Sequence, residues 1–122
     1  MKSILHSRES GEFGFVFSNV VGLLDGGIAI AASRCGATGI LNCECISDIS
    51  AIRRALERVF RYARGSFGIK LEIDSPVTAE LLTDLPDVDC IVLVSTGSNE
   101  GRYKDVIKAA RAKSKRDRKS VV

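Results

Sequence analysis

The sequence predicts an α/β fold built from four βα units in strict alternation. Residues 68–73 alternate Ile69, Leu71 and Ile73 with Lys70 and Glu72, the two-residue period of a strand. Residues 90–94, CIVLV, form a nearly continuous apolar run, as a buried parallel strand requires. Ile49, Ile52, Leu56, Val59, Phe60 and Ala63 recur at helical spacing. This alternation implies right-handed crossovers and a parallel sheet. Two architectures satisfy it: half of a (βα)8 TIM barrel, or a flavodoxin-like open parallel sheet.

In chain order, residues 1–12 are a polar leader. Residues 13–19, FGFVFSN, are β-prone and read as the first strand. Three glycines within residues 22–27 mark a loop that lacks both a GxGxxG fingerprint and a P-loop lysine. Asp25 is placed to cap a short small-residue helix over 28–35, which Gly36 terminates. Residues 38–45 form the second strand, with Ile40, Asn42 and Glu44 on one face and Leu41, Cys43 and Cys45 on the other.

Ser47 and Asp48 open the amphipathic helix, whose other face carries Arg53, Arg54, Arg58, Arg61 and Arg64. That face reads as solvated, with Glu57 and Arg61 as an i,i+4 pair. After the third strand, Ser75-Pro76 starts a short helix that Pro86 ends. The fourth strand follows. Ser98 or Asn99 caps the last helix, whose apolar stripe is Tyr103, Val106, Ile107 and Ala110. The (βα)4 domain thus spans 13–112 and a basic tail spans 113–122.

The charged face of the third strand is unusual. A central strand in an α/β fold is normally apolar on both faces, because helices cover it. Lys70 and Glu72 therefore suggest a barrel lumen, an open edge or a ligand site.

A length of 122 residues suffices for one core. No apolar run reaches the roughly 18 residues that span a bilayer, and MKSILHSRES has too short an apolar core for a secretory signal. The expected location is cytoplasmic. The net charge of +3 is concentrated in the tail, where five basic residues between Lys113 and Lys119 face only Asp117. That tail reads as a solvated helix end rather than a nucleic-acid contact, since no aromatic residue is interleaved for base stacking. The four cysteines include no Cys-x-x-Cys pair, and His6 is the single histidine, so no metal site is expected and the thiols read as reduced and buried. One histidine and no G-x-S-x-G elbow argue against a hydrolase triad. No catalytic residue is identified.

The run GIAIAASRCGATG at 27–39, SAIRRAL at 50–56 and FGIKL at 67–71 resembles the opening of the nitronate monooxygenase family. That family includes 2-nitropropane dioxygenase-like proteins and FMN-dependent enoyl reductases, some within polyketide and polyunsaturated fatty acid synthases. Its members typically read LAAAVSEAGGLG, then ALREEI, then FGVNL. The resemblance covers about 13–100 and corresponds to the first half of the family's barrel.

The resemblance implies an FMN-binding barrel with chemistry at the strand C-termini. It implies the N-terminal portion of an FMN-dependent oxidoreductase, of nitronate monooxygenase or enoyl reductase type, inactive on its own. The strand-one loop that approaches the flavin ring is here Asn19, Val20, Val21 and Gly22, without the family's usual Met-Ala-Gly. Lys70 stands where the family's third strand carries Asn, and a cation beside the flavin N1/C2 edge stabilises its reduced anion. Lys70 is equally able to pair with Glu44 or Glu72. Asn42 and Glu44, on the polar face of strand two, complete the expected cofactor-binding set. The phosphate site follows strands seven and eight, and the family's catalytic His also belongs to the second half. The expected partner is therefore the missing C-terminal half-barrel or a second copy of the chain. The alternative function is a non-catalytic self-associating α/β module, a homodimer, as part of a polyketide or fatty acid synthase.

Overall fold

The computed structural model describes residues 14–95 and 100–114. Strands β1 (Val16–Ser18), β2 (Thr38–Asn42), β3 (Phe67–Glu72) and β4 (Cys90–Val94) alternate with helices α1 (Gly27–Arg34), α2 (Ile49–Tyr62), α3 (Pro76–Asp84) and α4 (Glu100–Lys113). All strand pairs are parallel, in the order β1-β2-β3-β4. The fold is α/β, with an open parallel sheet of four βα units.

The helices share one face of the sheet. Leu41, Ile69, Leu71, Ile91 and Leu93 point to that face and form one core with Ile52 and Leu56 of α2, Leu81 and Leu82 of α3, and Tyr103 and Ala110 of α4. Helix α1 reaches the same face at Gly39, where an added Cβ would lie 2.1 Å from the Ala29 carbonyl oxygen. Only glycine admits the helix backbone that close. Right-handed crossovers between consecutively ordered strands are expected to give this one-sided layering, which is consistent with one half of a (βα)8 barrel or with a flavodoxin-like open sheet.

The opposite face carries Val16, Ile40 and Cys90 as a small apolar cluster, then Asn42, Lys70 and Glu72 toward the strand C-termini. Gly68 sits in register between Ile40 and Cys90. A side chain there would overlap Cys90, so the glycine lets its two neighbours close over it. Beyond α4, Val88 forms a parallel bridge with Ser114, and its N–H donates to the Lys113 carbonyl. The chain thus returns to the strand-start end of β4, as a βα repeat requires.

Local chemistry sets the element ends. Asp48 caps α2 by accepting from the N–H groups of Ser50 and Ala51. Ser75 caps α3, and Pro76 occupies its first turn. Asp25 accepts from Gly27 N–H at 2.9 Å, although Gly26 holds the cap position of α1. Glu57 and Arg61 approach to 3.6 Å on the solvated face of α2.

Several expectations need correction. The first strand is only three residues long. The second strand ends at Asn42, and Cys45 adopts a positive φ of 64° in the turn that follows. Cys43 and Cys45 therefore do not share a strand face. Cys43 and Cys90 are buried, but Cys35 and Cys45 are exposed. The leader, His6, the capping residues Ser98 and Asn99, and all of the tail beyond Ser114 lie outside the described residues. No described helix is long and apolar enough to cross a membrane.

Candidate functional site at the strand C-termini

Parallel sheets expose their chemistry where the strands end, because the loops there are free to vary. At this end Asn19, Asn42, Glu44, Lys70 and Glu72 form a connected polar network.

Asn19 follows the last residue of β1 and is buried. Its carboxamide takes over from the strand. The Oδ1 accepts from Asn42 N–H at 2.8 Å, and the Nδ2 donates to the Asn42 carbonyl at 3.0 Å. A planar amide can satisfy a backbone donor and acceptor together. The same Nδ2 donates to the Leu23 carbonyl at 2.9 Å, which pins the following loop against the sheet. That loop turns over residues 20–23, with Leu23 N–H donating to the Val20 carbonyl at 3.1 Å. Gly22 supplies the φ of 79° that such a turn needs at its third position. Val20 and Val21 are exposed at its tip.

Asn42 passes the network on: its Oδ1 accepts from Glu44 N–H at 2.9 Å. Glu44 turns back over the sheet and meets Lys70, with Oε1 and Nζ 3.0 Å apart. The Glu44 side chain is 17% exposed and that of Lys70 31%. Although the two charges touch, Glu44 Oε1 is covered and receives no well-directed hydrogen bond. The attraction is Coulombic, and the oxygen is sealed beneath the surface of the cluster. Glu72, one pleat further along β3, accepts from Cys45 N–H at 2.9 Å and holds the strained turn in place. Its own carbonyl accepts from the Thr78 hydroxyl at 2.5 Å, tying the end of β3 to α3.

The structure therefore brings Asn19, Asn42, Glu44 and Lys70 together and seats Val20, Val21 and Gly22 on the turn that Asn19 anchors. Of the two partners open to Lys70, Glu44 is the one it meets. Sequence reading missed the role of Glu72 as the brace of the Cys45 turn. Its position on the same strand face as Lys70 was the available signal. Nothing in a cysteine announces a positive φ.

Chemically, the cluster offers a partly exposed ammonium, held by a covered carboxylate, and an apolar rim. A ligand edge that carries an electron-rich oxygen or nitrogen fits the exposed part of the ammonium. Among the described residues no group of three His, Cys, Asp or Glu is placed to hold a metal ion. A groove of about 320 Å³ opens elsewhere, between α2 and α3. Leu56, Phe60, Leu81 and Leu85 line it, and the Arg53–Asp84 ion pair at 2.7 Å lies on its rim. None of the expected site residues lines it. Compared with known proteins, the chain matches no family model and no curated protein.

Proposed function

We propose that the chain is the N-terminal, four-unit portion of an FMN-dependent (βα) barrel oxidoreductase of nitronate monooxygenase or enoyl reductase type, inactive alone. The observation that carries this reading is the convergence of Asn19, Asn42, Glu44 and Lys70 at the strand C-termini of a consecutively ordered parallel sheet. The sequence resemblance supports it independently through the runs at 27–39, 50–56 and 67–71.

The residues present fit the polar edge of a flavin. Its N1/C2 edge becomes anionic on reduction, which suits the partly exposed Lys70 ammonium, and Glu44 holds that ammonium in place from beneath. When bound, FMN supplies the redox chemistry; these side chains orient its ring and hold its charge. The phosphate is held by strands that correspond to the second half of such a barrel. Affinity of this chain alone is therefore weak.

The test is a titration of the full chain with FMN, followed by flavin fluorescence. Saturable quenching that Lys70→Met abolishes, and that Arg54→Met on the solvated face of α2 leaves intact, is the expected result. Equal quenching by all three proteins, or none by any, would falsify the reading.

A second reading is a non-catalytic, self-associating module that belongs to a polyketide or fatty acid synthase. The apolar exposure of Phe15, Phe17, Val20, Val21 and Leu23 favours self-association.

A further inference from the structure

The surface around β1 is apolar and lies along a strand edge. Phe15, Phe17, Val20, Val21 and Leu23 are each at least 50% exposed. The Phe15 and Phe17 rings stack with centroids 6.4 Å apart. The Phe15 carbonyl accepts from Thr38 N–H at 2.9 Å, so it faces β2. Strand alternation then turns the N–H and C=O groups of Val16 and Ser18 away from β2. No described strand meets them. Natural edges are usually blunted by Lys, Pro or a bulge, and residues 15–18, FVFS, contain none of these.

We infer that this edge is a twofold interface with a second copy of the chain, formed by antiparallel pairing of β1 with β1 about an axis at Phe17. The inference rests on the self-associating reading and gives it a geometry. In this register Val16 lies opposite Ser18 of the second copy, and each pair exchanges N–H and C=O both ways. Phe17 lies opposite its own symmetry mate at a non-hydrogen-bonded position, where Cα atoms approach to about 4.5 Å. Phe15 occupies the diagonal position, so four phenylalanine rings share one face of an eight-stranded sheet.

Charge and connectivity favour a second copy in this register. Residues 13–24 carry no charged side chain, so the edge meets itself without like-charge repulsion. Asp25, next along the chain, is within 3.7 Å of Arg58. The other closure available to two copies would pair β1 with the outer edge of β4. Val88 at the start of that edge already donates to Lys113 and bridges Ser114.

The experiment is sedimentation equilibrium of the full chain over a micromolar concentration series. A dimer is expected for the unaltered chain. Phe17→Lys and Phe17→Asp each weaken it about 100-fold or more, because each puts like charges face to face in the pair. Mixing the two variants restores association, which only direct opposition of position 17 achieves. In a Cys35→Ser, Cys45→Ser background, Phe17→Cys forms a disulfide-linked dimer on mild oxidation, a readout independent of the charge variants. A dimer indifferent to both charge variants and not trapped by Phe17→Cys would overturn the β1 interface and leave self-association standing. A monomer across the whole series would remove both.

Discussion

The two faces of β2 and β3 are built from alternate residues of the same strands, yet they answer to different physics. On the helix side Leu41, Ile69 and Leu71 are almost wholly buried and pack against three helices. That face needs only volume and apolarity. On the other side, Asn42 and Lys70 sit one residue away along the chain, and their neighbours are chosen for hydrogen bonds and charge. The contrast shows how a strand can be a core element on one face and carry a polar network on the other. The helix face sets where the strand lies, and the other face can then hold a strained turn and a half-covered ion pair without unfolding it.

Perturbing the helix face should give the largest effect. Leu41→Ala removes a fully buried side chain and is expected to cost about 3–5 kcal/mol in denaturant unfolding. A loss as small as that of a surface substitution would break the distinction between the faces. Asn19→Ala comes next. It leaves the buried N–H and C=O of Asn42 without their partner and should cost about 1–3 kcal/mol, with faster hydrogen exchange at Asn42 and Leu23.

Cys43 sharpens the comparison through pH. It lies in the helix-face core, and burial pushes its thiol up from 9.0 to about 12. In the unfolded chain the thiol ionises first, so folding loses stability as pH rises from about 9 toward 12. The slope reaches about 1.4 kcal/mol per pH unit within that window and is fully absent below it. Cys43→Ala should remove that part of the slope. Exposed Cys45, on the site side, should react with a thiol reagent in the native state while Cys43 does not.

Lys70→Met is expected to have the smallest effect on stability, within about 1 kcal/mol, because a partly exposed ion pair contributes little. Under the proposed function, its consequence appears in FMN binding instead.

Much of the frame was legible in the chain. The apolar run of β4, the helical period of α2, the cap at Asp48 and the Ser75-Pro76 start are all local signals, and local chemistry determines them. The polar face of β3 was legible as an anomaly, since Lys70 alternates with isoleucine and leucine. The early end of β2 was not. Residues 38–45 alternate well enough for a longer strand, but Asn42 and Glu72 draw the chain into a turn through contacts made only in three dimensions. The role of Asn19 was hidden for the same reason, because its partner lies 23 residues away. The brevity of β1 follows from that substitution of a side chain for the strand's backbone.

The most direct measurement of the central claim is amide chemical-shift mapping of the full chain during titration with FMN. The claim is that the strand C-termini hold the ligand, so saturable shifts should centre on Asn42, Glu44, Lys70 and the turn at 20–23. Shifts confined to the groove between α2 and α3, at Arg53, Phe60 and Leu85, or no shifts at all, would contradict it.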